Sequence, residues 1–252
     1  MATRSLSGST LGGTKYNNLS YATQVKSTTA TISDISGYRV YTFTTSGSLR
    51  TISVPKALPK TFNGTVEYVV VGGGGGGGGG SATDYGSGGA GGVHKTASGF
   101  GLNASVSVTI GAGGSAAGNG TSSTFGTITA TAGNGSGQTS KTGGANADFS
   151  GGTGASNGGG GGAGAGANGS SSNGGTGVAS SITGTSVTRG GGGSGTGGGG
   201  ATVAGGAGGG GLGNIPGANG TANTGGGGGG SQLNANTSGG SGIVILSHAV
   251  SA

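Results

Sequence analysis

The amino-acid sequence predicts a mainly β protein with essentially no α-helix: a small β-sheet framework, irregular connections, and a bundle of polyglycine-II (left-handed three-fold) helices. Three observations lead there. Glycine supplies 75 of the 252 residues, yet only Gly8, Gly12, Gly13, Gly37, Gly47 and Gly64 precede residue 72. The two most apolar runs, Val66–Val71 and Ile243–Leu246, bracket the glycine-rich part. Among the glycines sit short islands such as Ala104–Ile110, which alternate with the period-two pattern of a strand.

Taken in order, residues 1–30 are rich in Ser, Thr and Asn and sustain no helical or strand period, which suggests an N-terminal arm able to dock on a partner. Residues 31–71 read as a β framework. Tyr38–Thr44 and Leu49–Val54 are rich in β-branched and aromatic residues and are joined by the turn-prone Thr45-Ser-Gly-Ser48. Pro55 and Pro59 then end pairing, and Asn63-Gly64 marks a turn. Val66–Val71 lacks the alternation of a half-buried strand and is expected to be buried on both faces.

Residues 72–242 form the glycine-rich segment, beginning with nine consecutive glycines from Gly72 to Gly80. Further runs occur at Gly158–Gly162, Gly190–Gly193, Gly197–Gly200, Gly208–Gly211 and Gly225–Gly230. Phe125–Ala130 and Ser181–Val187 are two more β-like islands. Residues 243–252 are a closing strand and tail, with Ile243–Leu246 the natural neighbour of Val66–Val71. If the two pair, the glycine segment is a long insertion closed at both ends.

Leu, Ile, Val and Phe make up about 15% of the chain, below the ~20% expected of a packed domain. The net charge of +6 is too small for a self-repelling chain. Order in the glycine runs must therefore come from main-chain hydrogen bonds, because each ordered glycine loses much backbone entropy and brings no apolar surface. Collagen needs glycine at every third position with abundant proline, whereas this chain has three prolines and long glycine runs. An α-helix loses about 1 kcal/mol per glycine relative to alanine. A bare glycine sheet has nothing to fix its register. Extended three-fold helices point every N–H and C=O outward, and neighbours without side chains can satisfy one another laterally.

Several function classes are excluded or poorly supplied. Without cysteine there are no disulfides, thiolate zinc sites or iron–sulfur clusters. No apolar run approaches the ~20 residues of a membrane span, and no charged-then-apolar leader is read at the start. Two histidines (His94, His248) and four acids (Asp34, Glu67, Asp84, Asp148) offer little for a metal site or acid–base catalysis. No enzymatic activity, metal or cofactor is expected. GxGxxG arises by chance in such a sequence, no P-loop lysine follows a glycine run, and only Arg189 stands in an RG context within the tracts. Nucleic acid is not an expected partner. Asn-x-Ser/Thr triplets at Asn18, Asn63, Asn103, Asn119, Asn134, Asn168, Asn219 and Asn236 read as turns.

The bulky or charged residues that stand out in the glycine-rich part are Tyr85, His94, Lys95, Phe100, Lys141, Phe149, Arg189, Leu212, Ile215 and Gln232. Aromatic and arginine side chains offer large contact area at modest entropic cost, so these are the candidate receptor contacts.

The non-glycine islands carry a resemblance. Val66-Glu-Tyr-Val-Val-Val-Gly-Gly-Gly74, Gly88-Gly-Ala-Gly-Gly-Val93, Val106-Ser-Val-Thr-Ile-Gly-Ala-Gly-Gly114, Ser123-Thr-Phe-Gly-Thr-Ile-Thr-Ala130, Ser180–Thr188, Gly220–Gly228 and Gly239–Leu246 follow one another in order. In sequence and spacing they resemble the glycine-rich domain of bacteriophage tail-fibre and adhesin proteins, over residues of about 35–248. The resemblance implies a virion protein at the distal end of a fibre, with glycine helices supporting variable receptor-binding loops. Arg189 stands where such proteins often carry an aromatic. Its expected partners are other virion proteins through the N-terminal region and a host surface glycan or outer-membrane protein, with homo-oligomerisation allowed by analogy. The alternative is a structural virion component, such as a capsid decoration or appendage subunit, without receptor binding.

Overall fold

The computed structural model describes residues 10–11, 14–15, 21–55, 62, 64–80, 86–102, 104–137, 140–155, 157–198, 201–232 and 235–250. Two five-stranded antiparallel sheets face each other. The first has the order β4 (Thr31–Ile35), β5 (Tyr38–Phe43), β14 (Ile243–Ala249), β7 (Thr65–Val71), β8 (His94–Gly101). The second runs β11 (Ile128–Ala130), β10 (Ser123–Phe125), β9 (Val106–Thr109), β6 (Gly47–Pro55), β3 (Tyr21–Ser27). Two small pairs complete the set: β1 (Thr10–Leu11) with β2 (Thr14–Lys15), and β12 (Val178–Ser180) with β13 (Val187–Arg189). The protein is thus mainly β, with no α-helix among the described residues.

The central pairing is the one the two apolar runs imply. β14 lies antiparallel to β7, with Ile243 opposite Val71 and Leu246 opposite Tyr68. Successive side chains of a strand leave on opposite faces, and both faces are covered here. Val66, Val70, Val244 and Leu246 join Tyr41, Phe43, Leu49, Val108 and Phe125 in the core between the sheets. Val69, Val71, Ile243 and Ile245 join Val40 and Ile182 in a second core on the outer face of the first sheet. Ile245→Val removes one methylene from this second core. It is expected to cost about 0.5–1.5 kcal/mol, read as a fall in Tm of about 1–6 °C in a thermal melt.

Three sequence expectations change. Residues 21–27, within the segment read as an arm, form β3 and pair along their length with β6. Their Ser/Thr-rich composition hides a strand of which Val25 is buried in the inter-sheet core. The Thr45–Ser48 turn does not pair the strands it joins. It carries the chain from one sheet to the other, because Tyr41, Phe43 and Leu49 meet in one core from opposite sides. Most of the Ser181–Val187 island is a connection, not a strand: residues 181–186 link β12 to β13, Gly184 has φ +86°, and Val187 already belongs to β13.

The glycine run after β7 is buried along residues 72–80 and is held by neighbours remote in sequence. The amides of Gly72, Gly75 and Gly78 donate to Val93, Ala90 and Ser87. Those of Gly73 and Gly76 donate to Thr121 and Gly118, and those of Gly74 and Gly77 to Gly240 and Thr237, all at 2.8–3.1 Å. The carbonyls follow the same rule. Gly73 and Gly76 accept from Gly133 and Ser136, Gly74 and Gly77 from Gly114 and Ala117, and Gly75 and Gly78 from Gly228 and Ser231. Each partner segment recurs every third residue, so three segments accept from this run and three donate to it.

The run at 86–93 is surrounded in the same way. Gly86, Gly89 and Gly92 donate to Ser231, Gly228 and Gly225, while Gly88 and Gly91 donate to Gly160 and Ala163. Buried polar main chain is thereby paired without any side chain in between. The tract at 190–197 packs beside it, through Gly193 to Gly89 and Thr196 to Gly86.

Candidate functional site

These registers give the bundle two ends. Gly72, Val93, Gly190, Gly225 and Gly242 lie against the β framework, because β7, β8, β13 and β14 begin or end beside them. The opposite end is a set of turns. Amide-to-carbonyl bonds close them at Gly118 to Ser115, Ser140 to Gly137, Gly158 to Ala155, Gly197 to Ala201 and Ala235 to Gln232. The turns are tied together: Gly78 N–H donates to Ser136 Oγ at 2.9 Å, and Gly79 N–H to Asn236 Oδ1 at 2.9 Å. The far face is therefore made of short connections on a floor of main chain.

Lys141, Leu212 and Ile215 reach this far face and are exposed there. The Lys141 carbonyl accepts from Gly154 N–H, the Leu212 carbonyl from Ala218 N–H, and Asn214 N–H donates to Gly230. Leu212 and Ile215 are 39% and 42% exposed, and they are two of the four large exposed apolar residues among those described. Gln232 belongs to the same end, but only 8% of it is exposed, so it is packed beneath the surface rather than offered to a partner. Tyr85 lies outside the described residues.

The remaining candidates lie at the framework end and do not join them. Phe100 packs on the inter-sheet core, its ring centroid 4.6 Å from Phe125 and 6.3 Å from Tyr68. Phe149 closes a local turn: its N–H and that of Asp148 donate to Asn146 Oδ1. Lys95 pairs loosely with Asp148 at 3.9 Å. Arg189 is 6% exposed, and its Nη1 donates to the Val187 carbonyl at 3.5 Å. Burial lowers the Arg189 pKa, and no carboxylate lies among the causes of that shift. His94 is half-buried, and neither ring nitrogen has a hydrogen-bond partner among the described residues. Burial first, and then the charge of Arg189, pushes its pKa down to about 4. Phe100, Arg189 and His94 are therefore packed residues, not exposed contacts. The expectation that bulky residues among glycines mark the binding face fails for them because the islands fold back onto the sheets.

Sequence reading also missed a structural role for asparagine. Asn119, Asn168, Asn219 and Asn236 do not simply turn the chain. Their Oδ1 atoms accept from the amides of Gly135, Ser150, Ser238 and Gly79, each in a separate segment. An outer tract that lacks a neighbour on one side leaves amides without a carbonyl, and a short amide side chain supplies the acceptor. The signal in the sequence was the repeated Asn flanked by Gly, Ser or Thr.

Among the described residues no group of three or more His, Asp or Glu is placed to hold a metal ion, and no helix is long and apolar enough to cross a membrane. No curated protein matches the chain. A family model described as a glycine-rich domain matches residues 44–249. That span runs from the end of β5 through both bundle ends to the end of β14, and the chain accordingly belongs to the glycine-rich domain family.

Proposed function

We propose that this chain is a non-enzymatic bacteriophage virion protein, a tail-fibre or appendage adhesin that meets the host cell surface with the far end of its glycine bundle. In this reading the tracts are polyglycine-II helices. The three-residue recurrence of hydrogen-bond partners around residues 72–78 supports it, since a three-fold helix turns each amide by a third of a circle. At ~3.1 Å per residue, the nine-glycine run would hold the far face about 28 Å from the sheets.

The observation that carries the adhesin reading is the concentration of short turns and exposed apolar side chains, Leu212 and Ile215, on the face remote from the framework. A side-chain-free interior makes a stiff support, and loops on a rigid scaffold are where recognition residues are placed. The ordered resemblance of the non-glycine islands to phage adhesin domains is the support for this biological context. The basic N-terminal region would face other virion chains.

Purified protein is expected to bind cells of the bacterium the phage infects. The triple variant Lys141→Ala, Leu212→Ala, Ile215→Ala should lose at least about tenfold in affinity, as a few central residues dominate most interfaces. Equal binding by wild type and variant would overturn the far face as the contact surface, and no binding by either would favour the structural-component reading. Separately, amide hydrogen exchange at Gly72–Gly80 should be slowed to the level of the core strands. Free-peptide rates there would sink the helix bundle.

A further inference from the structure

A groove on the outer face of the first sheet, far from the loops just discussed, is shaped for a ligand. One lobe, of about 320 Å³, lies between the β4–β5 turn and the β12–β13 connection, with Ile35, Val40 and Ile182 as its apolar surfaces. A second lobe, of about 250 Å³, opens toward the β7–β8 edge, where Thr65, Ser98 and His248 border it. Tyr38, Glu67 and Ser247 line both lobes and join them. Tyr38 is 51% exposed, the most exposed large apolar side chain among those described.

Two local features converge on this groove that the fold does not need. Glu67 places a carboxylate in a strand otherwise made of Thr, Val and Tyr, and Ser247 Oγ approaches its Oε2 at 3.5 Å. No cation pairs with Glu67 among the described residues. Opposite it the β7–β8 register slips between Val66 and Tyr68, and Gly99 there takes φ +82°. Such bulges re-aim a side chain. On the other rim, Ser36 (φ +39°) and Gly37 (φ +83°) form the two-residue hairpin turn between Ile35 and Tyr38, which sets the position of Tyr38 beside the groove.

The lining chooses the ligand class. No Lys or Arg side chain borders either lobe, and a carboxylate stands at their junction, so an anion is disfavoured. A single aromatic ring makes a poor cage for an ammonium group. Four serine hydroxyls (Ser36, Ser98, Ser181, Ser247), a carboxylate acceptor, an exposed phenol ring and an isoleucine wall instead match a molecule with many hydroxyls and an apolar C–H face. We propose that the groove binds a neutral disaccharide, one pyranose per lobe, with a ring stacked on Tyr38 and hydroxyls donating to Glu67.

Saturation-transfer NMR on the intact chain, with cellobiose, maltose and lactose each at about 20 mM, tests this in the range where single sugar sites bind. At least one sugar should bind saturably. Tyr38→Ala and Glu67→Gln should each weaken it about tenfold, Tyr38→Phe should keep most of it, and Gly198→Ala, whose added methyl meets nothing within 4 Å, should leave it unchanged. Thermal melts confirm that the surface variants fold. Silence with all three sugars, binding that survives both Tyr38→Ala and Glu67→Gln, or displacement of the sugar by N-acetyl-lysine methylamide at lower concentration would overturn the proposal. None of these outcomes bears on cell binding through the far face, so the two sites succeed or fail separately.

Discussion

Gly89→Ala is expected to lower Tm by about 6–20 °C, from a loss of about 3–5 kcal/mol in a chain of this size. Its added methyl would land on the carbonyl of Gly75, with Gly76 O close behind. Both are main-chain atoms, so no flexible side chain can swing aside. Gly75 and Gly89 stand in neighbouring interior segments: Gly75 N–H donates to Ala90, and Gly89 N–H to Gly228. Separating them by the ångström or more that a methyl needs would stretch bonds on several sides at once. The matched control is Gly198→Ala, where an added Cβ meets nothing within 4 Å. That change should stay within about 0.5 kcal/mol. Equal melting temperatures for the two variants would show that the interior is loose enough to absorb a methyl, and the close-packed main-chain account would fail.

The second large effect is acid sensitivity. His94 ordinarily titrates near 6.5 but is held at about 4 in the folded chain, because burial and Arg189 both oppose its charged form. Between these values the unfolded chain binds the additional proton and the folded chain does not. Stability from this residue is therefore complete above pH 6.5, declines as pH falls toward 4, and changes no further below that. The full loss is about 2–3 kcal/mol, allowing for the partial exposure of the ring. Burial also lowers the His248 pKa, so it adds to the slope in the same direction. Urea melts at pH 7, 5.5 and 4 should show the decline, and His94→Leu should flatten most of it. A variant that keeps the full slope would assign the sensitivity to other groups.

Much of the framework was legible because two strands are marked by composition alone. Val66–Val71 and Ile243–Leu246 are apolar without alternation, and a strand covered on both faces requires that. Their pairing across the glycine segment then follows. β3 was not legible: Tyr21–Ser27 is mostly polar, and Val25 is the residue that anchors it in the inter-sheet core. The boundary drawn between residues 71 and 72 separates compositions rather than structural units, since β8–β11 lie beyond it and complete both sheets. Exposure was the least legible property. Among glycines any bulky residue stands out, yet Arg189 and Phe100 are conspicuous because they pack, while Lys141 and Ile215 are conspicuous because they protrude. The groove was invisible for a different reason: Tyr38, Glu67 and Ser247 belong to three strands and meet only when β14 returns between β5 and β7.

The recurrence of partners at every third residue also restricts how such a chain can change length. Inserting or deleting one glycine within 72–80 would rotate each later amide toward the wrong neighbour, and the mismatch would run to the end of the tract. A change of three residues restores the angular match. Turns at the tips carry no such arithmetic, so variation in size can accumulate there while the tracts remain constrained.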